Sequence, residues 1–248
     1  AFDYAADAWG FTYGIAAEWT QQDWTARAGV FQLSAVPNGK ITGVDFSQFM
    51  LVSELEQRYQ WENHPGKFKL LGFANKGKMA RYRDAVQLGR ATATIPDVTL
   101  VRRPGWRLGA AVNFEQELAS DVGVFARASI NDGSKEAYEF TEINRSLSAG
   151  MVVKGERWGR PSDTLGIAAV ANGLSGEARD YFSHGGIGIL IGDGALSYGA
   201  EKIAEVFYSS QLNKQLSLTA DLQHANNPAY NRSRGPVQIY GLRLHAEF

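Results

Sequence analysis

The sequence predicts an all-β fold: the wall of a transmembrane antiparallel β-barrel, with about eleven strands in this chain. Three observations predict it. Apolar and polar residues alternate with period two almost throughout. Short turns and long loops succeed each other along the chain. The candidate strands run to about 10 to 12 residues, which at ~3.3 Å per residue and ~40° tilt project to about 25–30 Å. That is the depth of an apolar membrane band, whereas strands of soluble sheets usually stop at about 5 to 6 residues.

Strands are expected near 10–20, 23–33, 47–61, 66–76, 105–118, 121–131, 140–154, 163–173, 200–209, 214–225 and 237–248, most of them separated by Gly, Pro, Asn or Asp. In the first, Phe11, Tyr13, Ile15, Ala17 and Trp19 share one face, opposite Thr12, Gly14, Ala16, Glu18 and Thr20. The second sets Trp24, Ala26, Ala28 and Val30 against Arg27 and Gly29. Trp106, Leu108, Ala110, Val112 and Phe114 oppose Arg107, Asn113 and Glu115. Val122, Val124, Ala126, Ala128 and Ile130 oppose Phe125, Arg127 and Ser129. Leu216, Leu218, Ala220 and Leu222 oppose Ser217, Thr219, Asp221 and Gln223. The last strand alternates Tyr240, Leu242, Leu244, Ala246 and Phe248 with Gly241, Arg243, His245 and Glu247. A terminal aromatic closing such a strand is similar to the assembly signal read by the barrel-assembly machinery. Taken alone, it fits an edge strand of a soluble sandwich equally well.

The connections separate those readings. Turns at 21–22, 62–65, 119–120, 155–162 and 210–213 alternate with longer segments at 34–46, 77–104, 132–139, 174–199 and 226–236. Short periplasmic turns and longer external loops are the rule in outer-membrane barrels, and placing Phe248 at the periplasmic end puts every short turn on that side. Trp19, Trp24, Trp61, Phe68, Tyr208 and Phe248 fall beside that end, and Phe11, Tyr13, Phe49 and Trp106 near the other. Amphipathic rings favour headgroup depth. General enrichment of aromatics in strands is the plainer account of any single one.

Composition narrows the function. The chain has 248 residues, 44% apolar, with 25 basic and 26 acidic residues and no Cys. No run approaches the ~20 apolar residues of a membrane helix, and balanced charge gives no basic face for nucleic acid. Without Cys there is no disulfide, thiolate metal site or cysteine nucleophile. His64, His184, His224 and His245 lack metal spacing, and no acid–base–nucleophile group stands out, so neither a cofactor nor an enzymatic activity is expected. Gly186 to Gly194 fits no nucleotide fingerprint, because no Lys-Ser/Thr follows; tight bends or close packing in an external loop account for it.

Candidates for contact with a solute are the charges on polar strand faces: Arg27, Glu54, Glu56, Arg58, Arg107, Glu115, Arg127, Glu201, Glu205, Asp221 and Arg243. Donors beside acceptors can replace water around a neutral polyhydroxylated solute; equally, such residues can simply brace the wall by ion pairs. Loop 77–104 is long enough to be functional. It either folds inward or caps the mouth, and Met79–Leu88 has the makings of a short helix.

Several segments resemble the OprB-type carbohydrate-selective porin family. They are Trp158-Gly159-Arg160-Pro161-Ser162-Asp163, Asn172-Gly173-Leu174-Ser175, the glycines from Gly185 to Gly194, Tyr198-Gly199-Ala200-Glu201 with Glu205, Asn227-Pro228-Ala229-Tyr230-Asn231, Arg234-Gly235-Pro236-Val237, and Gly241-Leu242-Arg243-Leu244-His245. Phe207-Tyr208 departs from it, since members often carry two tyrosines there; residues 1–120 match more loosely, through Glu54, Glu56 and Arg58. The resemblance implies an outer-membrane porin barrel of about sixteen strands. Its expected partners are monosaccharides or other small sugars, diffusing passively, and outer-membrane lipids. A general diffusion porin, an outer-membrane enzyme barrel and a soluble β-sheet binding domain are the alternatives. An odd strand count cannot close antiparallel, so further N-terminal strands are expected to complete the single barrel domain.

Overall fold

The structure, a computed structural model, describes residues 1–140 and 142–247. Eleven strands form one sheet in chain order, each antiparallel to the next. They are β1 (Gly14–Thr20), β2 (Trp24–Gln32), β3 (Phe49–Trp61), β4 (His64–Met79), β5 (Arg103–Ala119), β6 (Val122–Asn131), β7 (Arg145–Lys154), β8 (Thr164–Gly173), β9 (Glu201–Gln211), β10 (Leu216–Asn226) and β11 (Val237–Ala246). All eleven expected strands are present. Two helices, α1 (Tyr82–Thr92) and α2 (Gly176–Ser183), lie in the β4–β5 and β8–β9 loops.

Strand ends differ from expectation where side chains capture backbone groups. β1 opens at Gly14 rather than near 10, because the Asp7 carboxylate accepts the Trp9 and Phe11 N–H groups and folds a local turn. β7 opens at Arg145 rather than near 140, because the N–H groups of Tyr138 and Glu139 donate to Asp3 instead of to a neighbouring strand. His64 is not a turn residue: it begins β4 opposite Trp61, and the turn is Glu62–Asn63, with φ of 51° and 66°. Two left-handed residues suit a two-residue hairpin because their twist matches that of the strands.

The sheet has two unlike faces. One, the outward face, carries Ile15, Leu51, Leu55, Leu70, Leu108, Leu147, Ile167, Leu242 and Leu244, all exposed. The paired register carries this apolar surface from strand to strand, through Val30↔Leu51, Leu55↔Leu70, Leu70↔Val112, Met151↔Ile167 and Ala220↔Leu242. The other, inner face is polar, and the chain segments at the long-loop end fold over it. Apolar burial is therefore concentrated at that end. Leu33, Met50, Phe73, Met79 and Tyr138 form one cluster, against which Phe2 and Ala5 pack. Tyr82, Val86, Leu174, Tyr181, Phe182 and Tyr230 form another, joining α1, α2 and the β10–β11 loop.

Loop 77–104 packs against the β8–β9 loop. The buried side of α1 packs on Tyr181 and Phe182 of α2, with the Tyr82 and Tyr181 ring centroids 4.9 Å apart. The helix occupies 82–92, a few residues beyond the expected 79–88, because Met79 still belongs to β4. α2 follows no apolar period in the sequence. Ser175 caps it by accepting the Ala178 N–H, a signal hidden among glycines. Those glycines do bend tightly: Gly185, Gly192 and Gly194 have φ of 93°, 127° and 78°.

Candidate functional site: the inner face of the sheet

Register places all eleven sequence-derived charges on the inner face. Starting from Arg27 opposite Glu54, the pairing runs through Glu56↔Lys69, Lys69↔Asn113, Asn113↔Arg127, Asn75↔Arg107 and Asn172↔Glu201 to Gln223↔Glu205 and Thr219↔Arg243. They do not converge on one spot.

A first group lies across β1 to β4. Arg27 reaches Glu18 at 2.5 Å, Glu54 at 2.7 Å and Glu56 at 3.2 Å. Glu56 also holds Arg58 at 2.7 Å and Lys69 at 3.2 Å, which leaves it buried beneath three cations. Arg58 donates onward to the backbone carbonyls of Gln22 and Trp24, clasping the β1–β2 turn. Charged networks of this kind suit a face that is wet but walled.

A second group crosses β4 to β6. Arg127 Nε donates to Asn113 Oδ1 at 2.7 Å, Asn113 donates to Glu115 at 2.8 Å, and Lys67 stands 3.7 Å from the other Glu115 oxygen. Arg127 remains exposed, its guanidinium 4.8 Å from the Phe125 ring centroid. Here donors and acceptors face open space in sequence.

A third group lies on β8 to β11. Glu201 accepts from Asn172 at 3.1 Å and from the Ala229 N–H at 3.0 Å, which anchors the β10–β11 loop. Gln223 donates to Asp221 at 3.2 Å, with Glu205 and Arg243 on the same strip.

Arg107 stands apart. It lies on the inner face as alternation requires, yet it is fully buried, with Asp3 of the N-terminal segment paired to it. Its Nη1 is 2.6 Å from Asp3 Oδ2, and both side chains are almost wholly buried, 1% and 0% exposed. Arg107 also donates to the Asp132 carbonyl and Asn131 Oδ1, while Asp3 takes Asn75 and the Tyr138 and Glu139 N–H groups. Arg107 thus fastens a crossing segment and meets no solute in this arrangement. Sequence reasoning missed Asp3, Tyr138 and Glu139, which belong to segments without periodicity. Lys67 and Lys69 were missed too, although the alternation through Phe68 and Leu70 marks them.

Two buried carboxyls edge the long-loop cluster. Burial pushes Glu139 up to about 8, opposed by the Ser34 hydroxyl that donates to it, and Glu142 up to about 7, opposed by the Ile189 N–H. Both sit outside the strands.

The aromatics expected at an interface lie on the outward face. Trp19 and Trp24 meet edge to face, 4.9 Å between centroids, at the short-turn end. Trp61 and Phe68 are exposed at the same end. Tyr208 donates to Asp163 at 2.6 Å and accepts from Trp158 Nε1 at 3.0 Å. Trp106 is exposed at the long-loop end, 5.9 Å from Phe49. Phe248 lies outside the described residues.

The family model of the carbohydrate-selective porins, OprB family, matches residues 3–248. Among solved structures, the high-pH structure of Pseudomonas putida OprB is similar, with TM-score 0.76 and 15% identity, covering 96% of this chain and 59% of that one. The low-pH structure of the same protein aligns with TM-score 0.56 and 13% identity, over 95% of this chain and 55% of that one. OccK8 (OprE) of Pseudomonas aeruginosa aligns with TM-score 0.58 and 12% identity, over 95% and 56%. The chain thus spans under three fifths of the length of these proteins. No curated protein matches it in sequence. The fold is that of outer-membrane porin barrels, and the apolar outward face is the side that meets lipid.

Proposed function

This chain belongs to the OprB family of carbohydrate-selective porins, and on that premise we propose that it walls an outer-membrane channel through which small sugars diffuse passively. The observation that carries the reading is the Lys67–Glu115–Asn113–Arg127 chain. It sets donors and acceptors in turn along a water-facing wall, with one carboxylate and one amide between two cations. A neutral polyol exchanges its hydration for such groups as it passes, at little net cost, whereas an ion of either sign meets a like charge within a few ångströms. Segment 1–13, held to the inner face through Asp3 and Arg107, narrows the passage. The channel works by steric narrowing and hydrogen bonding and uses no covalent step. Further strands pairing with β1 and β11 complete the single barrel domain; the unpaired outer edges of both strands support this.

Single-channel recording with a panel of monosaccharides tests the reading. Current interruptions should depend on which sugar is present. Arg127→Ala should change that dependence while the barrel still assembles, since an exposed substitution typically shifts stability by only about 0.5 kcal/mol. An open current indifferent to every sugar would leave a general diffusion porin. Identical discrimination in wild type and variant would assign Arg127 to bracing alone.

A further inference from the structure

The outward face holds a charge pattern that sugar passage does not explain. Of all the Lys, Arg, Asp and Glu residues on the eleven strands, register places only Lys76, Lys78, Arg145 and Lys202 on that face. All four are basic. All four stand at the long-loop, extracellular end, since Lys76 and Lys78 close β4 while Arg145 and Lys202 open β7 and β9. Each is exposed, and none forms an ion pair with a described residue. On the strands no acidic side chain shares the face; at the short-turn end Asp163, just before β8, meets the outward Tyr208 and is paired with Arg160. Charge directed toward hydrocarbon is costly at mid-depth and tolerated near the interface, so height alone accounts for where charges can stand. It does not account for one sign at one end.

A hollow lies directly below Lys202. Ala149, Ala169 and Ala204 fall in one register row and Ala171 in the next, beside Lys202. These small side chains floor a depression of about 360 Å³ on the lipid side, with Lys202 and His224 at its rim. Arg145 stands one row further out on β7, paired with Gly173. An apolar trough ending at one cation, with a second one register row beyond, matches an acyl chain joined to a phosphate-bearing headgroup. We infer that Arg145, Lys202 and the alanine trough bind a phosphorylated lipid of the outer leaflet, with Lys76 and Lys78 forming a second headgroup contact on β4. The occupant is a membrane lipid rather than a soluble anion, because the trough opens only toward hydrocarbon. The inference is independent of whether sugars traverse the lumen.

The test uses the protein extracted from outer membranes in neutral detergent and placed in phosphatidylcholine nanodiscs. Diphosphoryl lipid A is titrated in, and bound lipid is counted by native mass spectrometry. Wild type should retain it, and R145Q/K202Q should bind it about tenfold more weakly or worse. K202R should bind as wild type does, and lipid A stripped of phosphate should not distinguish the proteins. A204F, which fills the trough and leaves every charge in place, should also weaken binding; it serves if the double variant fails to assemble. Equal affinity in wild type, R145Q/K202Q and A204F would overturn the inference. So would displacement of the lipid by equimolar inorganic phosphate, which would reveal a simple anion site.

Discussion

At the residue scale the decisive contact is Asp3 with Arg107. An arginine with no exposed surface is stable only with its counter-charge and hydrogen-bond acceptors in place, and here these come from Asp3, Asn131 and the Asp132 carbonyl. Removing Asp3 strands that charge. Asp3→Ala should cost about 3–5 kcal/mol of local stability, release segment 1–13 from the wall, and raise single-channel conductance. Unchanged conductance would mean that the segment does not narrow the passage. Alternation in the sequence placed Arg107 on the correct face. It could not reveal the lid over it, because Asp3 is distant in sequence and its segment has no period.

At the element scale, four inner-face phenylalanines share one device. Phe31, Phe73, Phe125 and Phe207 lie over Gly14, Gly109, Gly150 and Gly166, each directly opposite on the neighbouring strand. The missing side chain lets each ring lie flat on the wall instead of projecting into the channel, as aromatics do over cross-strand glycines. A Cβ at Gly166 would come within 2.1 Å of the Phe207 ring. Gly166→Ala should therefore swing that ring inward, lower conductance, and cost about 1–3 kcal/mol; a conductance equal to wild type would count against it. The loop elements carry a pH dependence. Glu139 and Glu142 are raised to about 8 and about 7 from an ordinary 4.5 by burial. The folded loops hold more protons than the unfolded ones across that interval. Their stability is therefore complete below about pH 4.5 and declines as pH rises toward 8. Hydrogen exchange of 132–140 and 174–199, corrected for intrinsic rate, should lose protection between pH 5 and 8. Glu139→Gln with Glu142→Gln should flatten that trend.

At the scale of the whole molecule, the sheet edges matter most. β1 and β11 each pair on one side only among the described residues. In hydrocarbon each unsatisfied backbone group costs several kcal/mol, so the inserted protein needs partner strands at both edges. Amides of β1 and β11 should then exchange in the membrane as slowly as those of β5. Rapid exchange confined to the two edge strands would contradict barrel completion by further strands.

The sequence by itself determined the eleven strands, the two unlike faces and the alternation of short turns with long loops. These follow from local rules: a side-chain period of two, and turn residues between periodic runs. The inner-face position of Arg27, Glu54, Arg127 and Arg243 was legible for the same reason. Only the tertiary structure decided that Glu56 and Arg107 are covered while Arg127 stays open, and that α1 and α2 share one core. Each of these depends on which strands lie side by side and which loops meet across them, and no local period encodes that.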